Sequence, residues 1–310
     1  MKTYITIDGG TTNTRVNLVQ DKKLIKSEKI SMGAKDCIGG NGELKKRIEE
    51  KIIFLLSFGK IEKSDITAVI ASGMITSEYG LCELKHLDAP AGMKELHDGI
   101  KKVFFPEICG LEINFIPGVK VGADSPETAD MMRGEETELY GLYDGSDGVY
   151  VLPGSHSKLI ATDKNGRISD FKTMLTGEMI AALSGNTILK DAVDLSVSEY
   201  DREYLIMGYN YCMAQGINNA LFKTRILKNL FKKNTVQTYS YFMGVVLTAE
   251  IEALKKYGKD NIIIGGKSQI KYAMSDIIKA VCSLNVTCVS DEAVDSAVAL
   301  GAVKVFEYGE

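Results

Sequence analysis

Residues 4–19 read Tyr4-Ile5-Thr6-Ile7-Asp8-Gly9-Gly10-Thr11-Thr12-Asn13-Thr14-Arg15-Val16-Asn17-Leu18-Val19. Two β-rich runs, Tyr4–Asp8 and Thr14–Val19, flank a glycine-rich turn, and a third run, Lys23–Ile30, follows Gln20-Asp21-Lys22. Strand, tight turn, strand, turn, strand is the mark of an antiparallel meander. The pattern restarts at residue 148. Gly148–Leu152 reads as a strand, Pro153–Ser157 as a turn and Lys158–Thr162 as a strand. Lys164-Asn165-Gly166 turns again, and Arg167–Met174 is the third strand.

Between the copies, Gly42–Phe58 has helical periodicity, with Leu44, Ile48, Ile52 and Leu55 on one face. Thr67–Ala71 is a strand, Leu111–Val121 an extended stretch interrupted at Pro117-Gly118, and Glu135–Tyr143 a short helix. After the second copy come long helices over Asp201–Tyr257, a strand at Asn261–Ile264 and a helix at Ser268–Ser283. A strand at Val286–Val289 and a last helix at Glu292–Phe306 complete the chain. A meander that occurs twice, each time followed by helices and strands, predicts two similar α/β domains. We place them at 1–145 and 146–310, joined at the polar, glycine-rich Asp144–Gly148, with the last helix free to pack back on the first. The cleft between two such domains is a common place for ligands.

The 310 residues are 45% hydrophobic and 25% charged, enough for a real core. A net charge of -4 does not point to a nucleic-acid partner. The densest basic stretch, Lys223–Lys233, carries Arg225, Lys228 and Lys232 interleaved with Leu227, Leu230 and Phe231, and reads as one amphipathic helix with a solvated face. The six cysteines, at 37, 82, 109, 212, 282 and 288, form no CxxC pair, which argues for thiols in a reducing compartment rather than a disulfide scaffold or zinc site. The N-terminus begins with a strand-like run and no signal-peptide core, and no apolar stretch approaches ~18–20 residues. A cytoplasmic protein without a membrane partner is expected; the residues do not settle whether it forms a homodimer.

Three turns carry chemistry. In Asp8–Arg15, Gly9 and Gly10 let backbone N–H groups converge on phosphate oxygens, and Thr11, Thr12 and Asn13 add donors. Asp8, a hard carboxylate at a strand end, suits Mg²⁺ held through water. The bland alternative is a type I′ hairpin turn with an incidental acid. The second turn, Pro153–Lys158, offers Gly154 and Ser155 N–H groups, the Ser155 and Ser157 hydroxyls, His156 and Lys158. It occupies the same place in the second meander, so the two loops are expected to clamp a triphosphate. In the third, Ile262-Ile263-Ile264-Gly265-Gly266-Lys267-Ser268, a flat base can lie on a glycine pair; a plain β–α turn capped by Ser268 is equally open.

An acid-led phosphate hairpin, a second phosphate hairpin and a late Gly-Gly resemble the actin-like ATPase superfamily, which includes hexokinase and glycerol kinase. Within it the chain resembles the 2-dehydro-3-deoxygalactonokinase family. The matching stretches are the Asp8–Arg15 hairpin, Met132-Arg133-Gly134-Glu135-Glu136-Thr137-Glu138, Pro153–Lys158 and Met174-Leu175-Thr176-Gly177-Glu178, with Ala71-Ser72-Gly73-Met74 as a further segment. Two flanking positions depart from the family. Gly9 stands where an aromatic is frequent, and Leu159 where Trp commonly follows the lysine; the chain has no Trp.

The resemblance implies two ribonuclease H-like (actin-like ATPase) domains around a central cleft. It implies an ATP- and Mg²⁺-dependent sugar-acid kinase that phosphorylates 2-dehydro-3-deoxy-D-galactonate at its 6-hydroxyl. Glu135 is then the base or hydroxyl-orienting group, with Glu136 and Asp130 as competitors. Arg133 stabilises charge on the moving phosphoryl or binds the substrate carboxylate, and Asp8 is the metal-side carboxylate. Gly9, Gly10, Thr11, Thr12, Asn13, Gly154, Ser155, His156, Ser157, Lys158, Gly265 and Gly266 hold ATP; Arg15, Glu136, Thr176, Gly177 and Glu178 are assigned to substrate. Read from residues alone, Glu135 and Glu136 also serve as helix-dipole partners, and Thr176 as a cap for the next helix. The rivals are a kinase for another sugar or sugar acid, a non-catalytic actin-like nucleotide-binding protein, and a Rossmann oxidoreductase. The last needs a helix where Thr14–Val19 reads as a strand.

Overall fold

A computed structural model of the protein describes residues 2–266 and 269–309. The first meander is β1 (Thr3–Gly9), β2 (Thr14–Gln20) and β3 (Lys23–Ile30). It is followed by α1 (Gly42–Gly59), β4 (Ala68–Gly73), β5 (Leu87–Asp88), α2 (Met93–Asp98), β6 (Lys101–Phe105), β7 (Leu111–Phe115), β8 (Val119–Val121), β9 (Asp130–Met132) and α3 (Glu135–Leu142). The second is β10 (Val149–Leu152), β11 (Ser157–Thr162) and β12 (Ile168–Met174), followed by α4 (Thr176–Asn186), α5 (Arg202–Gln215), α6 (Ile217–Asn229) and α7 (Thr235–Lys255). β13 (Asn261–Ile264), α8 (Gln269–Val281), β14 (Asn285–Cys288) and α9 (Asp291–Phe306) complete the chain.

The chain divides into two compact units. The first comprises the residues up to Gly145, Asn165–Asp170 and those from Glu292 onward; the second comprises Ser146–Lys164 and Phe171–Asp291. Two sheets share one strand pattern: β3-β2-β1-β4-β7, edged by β6, and β12-β11-β10-β13-β14. In the first, β1 pairs antiparallel with β2 and parallel with β4, and β4 pairs parallel with β7. In the second, β10 pairs antiparallel with β11 and parallel with β13, and β13 pairs parallel with β14. This is the ribonuclease H-like arrangement, present twice, as the resemblance implied, and each copy of the repeated meander forms one side of its sheet.

Burial follows from where each strand sits. β4 and β10, interior strands of their sheets, are buried throughout, as strands covered on both faces must be. β3, at an edge, alternates. Helix α1 covers the first sheet with Leu44, Ile48, Ile52 and Leu55, all nearly inaccessible. Such side chains contribute roughly 1.5–3 kcal/mol each before the entropy of ordering them. Helix α7 is buried on nearly every face between Thr238 and Leu254, with Phe242, Val246 and Leu247 in the second unit's core. A helix apolar all round is an interior helix. Helix α9 packs in the first unit: Lys304 Nζ donates to Tyr140 O at 2.9 Å, and Phe306 lies edge-on to Tyr4 at 6.2 Å.

Several expectations need correction. Leu111–Val121 is not one strand: Pro117-Gly118 divides it between β7 in the six-stranded sheet and β8 in a separate β5-β8-β9 sheet. The short β5, β6, β9 and helix α2 gave no periodic signal. Lys223–Lys233 is not one helix. α6 stops at Asn229, Lys232 adopts φ 53°, and Leu230 and Phe231 are 69% and 61% exposed rather than part of an apolar face. Lys267 and Ser268, and with them the proposed cap of α8, lie outside the described residues. The six cysteines are unpaired. Among the described residues no helix is long and apolar enough to cross a membrane.

Candidate active site

In the first unit the site is built where β1 and β4 end side by side, with Asp8 opposite Ser72 and Gly9 opposite Gly73. The carboxyl ends of parallel strands are where such folds bind ligands. Three backbones converge beside Asp8. A Cβ on Gly9 would stand 2.6 Å from Ile75 Cβ, and one on Gly73 (φ 84°) would stand 2.4 Å from Gly9 O and 3.5 Å from Asp8 Oδ1. One on Gly134 (φ 107°) would stand 3.2 Å from Gly73 Cα. Only glycine permits this approach, so α3 begins against the strand ends that carry Asp8.

The hairpin itself is a four-residue loop, not the type I′ turn: none of residues 9–14 has a positive φ. Gly10 N–H donates to Asn13 O at 2.8 Å. The carbonyls of Gly10 and Thr11 accept from Ala34 and Lys35, each at 3.1 Å. A short 3₁₀ turn at Ala34–Cys37 therefore grips the loop from its carbonyl side. The N–H groups of Thr11, Thr12 and Asn13 take no partner among the described residues, and Thr11 and Thr12 are exposed. Such a loop is ready for an anion. Asp8 lies 3.6 Å from Arg15 Nη1. Burial raises the pKa of Asp8, and the Arg15 charge opposes that rise.

The start of α3 separates its three acids. Glu136 is fully buried and turns back, both oxygens accepting from Gly134 N–H at 2.8 and 2.9 Å. Burial, then repulsion from Glu135, pushes it up to about 8. Glu135 is half-buried and accepts from Arg133 N–H at 3.1 Å. Glu138, three residues on and so on the same face as Glu135, is pushed up to about 7 by burial, then by Glu135 and Asp8, against the pull of Arg15. Thr137 Oγ1 donates to Gly134 O at 2.7 Å and lies 3.3 Å from Ser72 Oγ. Arg133 does not reach forward: its guanidinium donates to Thr76 Oγ1 at 2.9 Å and Leu84 O at 2.6 Å, with His86 Nδ1 at 3.4 Å. Helix α9 supports α3 from behind. A Cβ on Gly301 would fall 1.7 Å from Thr137 O.

In the second unit the equivalent hairpin shows two faces. Gly154, Ser155 and His156 are exposed, whereas Ser157 and Lys158 are buried. The N–H groups of Ser155 and His156 take no partner among the described residues, while Ser155 O accepts from Glu178 N–H at 3.2 Å. Helix α4 therefore begins on the hairpin; a Cβ on Gly177 would stand 2.4 Å from Gly154 O. His156 Nε2 lies 2.9 Å from Glu178 Oε1. Lys158 Nζ points inward to Thr173 Oγ1 at 2.5 Å and over Phe171. Gly265 N–H donates to Val151 O at 2.8 Å, and a Cβ on Gly266 (φ 76°) would stand 2.8 Å from Pro153 Cδ. The glycine pair thus sits at the root of the second hairpin. Thr176 is not the cap of α4: it is the first helical residue, and its hydroxyl is given to Glu250.

A family model described as 2-keto-3-deoxy-galactonokinase matches residues 8–303. The chain belongs to that family. The Escherichia coli (strain K12) 2-dehydro-3-deoxygalactonokinase is 26% identical over 260 residues, 82% of this chain and 81% of the relative. A Sinorhizobium meliloti protein assigned as a 2-dehydro-3-deoxygalactonokinase has a crystal structure that superposes with a TM-score of 0.77 at 21% identity, over 98% of this chain and 99% of that one. The activator of 2-hydroxyisocaproyl-CoA dehydratase from Clostridium difficile, solved with bound ADPNP, superposes with a TM-score of 0.55 at 12% identity, over 98% and 95% of the two chains. The fold is that of the actin-like ATPases, and the protein is a carbohydrate kinase that uses ATP.

In this 2-keto-3-deoxy-galactonokinase family member, Gly9 has a physical reason: Ile75 fills the space a side chain would need. Leu159 is wholly buried in β11. The structure brings Asp8–Arg15, Gly73 and Gly134–Glu138 together in the first unit. In the second it brings together Pro153–Lys158, Thr176–Glu178 and Gly265–Gly266. Sequence reasoning missed two acids. Glu138 had a signal, its i,i+3 spacing from Glu135. Glu250 had none beyond being one of two acids in a largely apolar helix.

Proposed function

We propose that the enzyme phosphorylates 2-dehydro-3-deoxy-D-galactonate at its 6-hydroxyl, with ATP and Mg²⁺. The supporting observation is the acid-rich first turn of α3 built directly against the Asp8 hairpin, whose open N–H groups suit phosphate oxygens. Family membership supports the choice of acceptor. In this reading Glu135 takes the proton of the 6-hydroxyl, the hydroxyl oxygen bonds to the γ-phosphorus, and ADP leaves. Glu138 shares the face of Glu135. The exposed N–H groups and side chains of Thr11, Thr12, Asn13, Ser155 and His156 hold phosphate, and Gly265-Gly266 lies under the base. Arg15, 57% exposed, is the cation available to the anionic acceptor, with Gly177 and Glu178 also facing substrate.

We assign the remaining residues to the scaffold. Glu136 holds the N-terminus of α3, and Arg133 ties the Thr76 and Leu84–His86 segments. Ser157, Lys158 and Thr176 face inward. The domain boundary is placed at Gly145/Ser146, and the protein is placed in the cytoplasm.

Mg²⁺ fits the donor set. It is commonly bound by one or two carboxylates plus substrate phosphates and waters. Asp8 provides the carboxylate, with Glu138 near it, and among the described residues no group of three or more His, Cys, Asp or Glu forms a protein cage. When bound there, the ion would neutralise charge on the phosphate oxygens.

A coupled ADP-release assay over a panel of sugar acids and neutral sugars tests the acceptor; no turnover with any 2-keto-3-deoxy acid rejects it. Glu135→Gln should lower kcat by about 10²-fold or more with little change in nucleotide affinity. Retained turnover would move the base to Glu138.

A further inference from the structure

Glu250 lies in the middle of α7, with 0% of its surface exposed. A carboxylate seldom occupies such a place without a task, because removing charge from water is costly. One oxygen accepts the hydroxyl of Thr176, which is 74 positions away in sequence. The Ser157 hydroxyl is the group's second polar neighbour. The other oxygen, Oε2, is buried and takes no partner among the described residues. Thr176 opens α4, and Ser157 closes the second hairpin. Both hydroxyls are themselves buried, at 5% and 1% exposure, so neither is presented to a ligand at the surface.

The surrounding contacts give the acid its meaning. Helix α4 and the hairpin touch through Gly177 over Gly154 and through Glu178 N–H to Ser155 O at 3.2 Å. Those contacts tie down the loop that carries Ser155 and His156, two exposed residues whose N–H groups take no partner among the described residues. Behind them, one carboxyl group joins the first residue of α4 to the last residue of the loop.

We propose that Glu250 is a positioning residue for nucleotide binding: from inside the second unit it locks the start of α4 to the second hairpin, so that the hairpin's N–H groups are preorganised for phosphate. Glu250 touches neither substrate nor nucleotide. The inference rests on the reading of Pro153–Lys158 as a phosphate loop. Preorganisation of this kind acts on affinity, because a loop that must be ordered at binding weakens it.

The test measures ADP and ADPNP affinity by calorimetry, and thermal stability, for the full-length protein. Glu250→Leu and Thr176→Val should each weaken nucleotide binding by about tenfold, the effect of losing roughly one buried hydrogen bond. The double variant should be little worse than either single one, because both remove the same link. Glu250→Gln, which keeps an acceptor for Thr176, should bind nucleotide within about threefold of wild type. If Glu250→Leu does not fold, Thr176→Val and Glu250→Gln carry the comparison.

Lowered stability with unchanged affinity in Thr176→Val would reduce Glu250 to a core residue and overturn the proposal. His156→Ala and Ser155→Pro, which removes an N–H group assigned to phosphate, separate the two ideas. If these variants also bind nucleotide normally, the phosphate-loop reading itself fails. If they bind weakly while the Glu250 and Thr176 variants do not, only the positioning role fails.

Discussion

Single atoms decide what several residues of this kinase do. Gly9 is required because Ile75 Cβ would lie 2.6 Å from any side chain at that position. Gly9→Ala should therefore destabilise the protein by about 1–3 kcal/mol, as overpacked sites do. Urea unfolding would show a lower midpoint at unchanged slope. The change should also weaken nucleotide binding, because Gly9 and Gly73 set the level at which the Asp8 loop leaves the sheet. Arg133 is the opposite case. A guanidinium beside two acids suggested chemistry, but its donors are used on Thr76, Leu84 and His86.

The helix α3 is a device at the next scale. Its glycine N-cap, its buried Thr137 and the α9 backbone behind it press an acidic turn against the sheet. The result is two carboxyl groups with raised pKa values, Glu136 at about 8 and Glu138 at about 7, against an ordinary 4.5. The sign follows from linkage. In the window between 4.5 and those values the folded state holds protons that the unfolded state has released. Raising the pH through the window therefore favours unfolding. Stability from urea melts should fall between about pH 5 and pH 8, and Glu136→Gln and Glu138→Gln should each flatten the slope. A slope unchanged in both variants would mean that these acids ionise normally.

For the whole molecule, nucleotide binding is the clearest readout. ADPNP at a hundred times its Kd should raise the unfolding free energy by about 2.7 kcal/mol. Asp8→Asn in the first unit and His156→Ala in the second should each reduce that gain in a thermal-shift titration at fixed ligand concentration. A gain that survives both changes would place the nucleotide on other residues.

Much of this architecture is legible in the chain. The two meanders and α1 could be read within a residue or two of their observed limits, because period-2 and period-3.6 patterns and glycine turns are local. The hairpin loops and the acid-rich helix start were visible for the same reason. What the chain alone does not show depends on contacts between residues far apart in sequence. Glu250 lies 74 positions from the Thr176 it holds, and Arg133 lies 57 and 49 positions from Thr76 and Leu84. Burial set by packing, not residue type, raises Glu138 toward neutrality and turns Ser157, Lys158 and Thr176 inward. Local patterning determined a doubled α/β fold and its glycine-rich hairpin loops; tertiary packing decided which side chains stay exposed on those loops and which hold the loops in place, because desolvation and hydrogen-bond pairing exist only once distant segments meet.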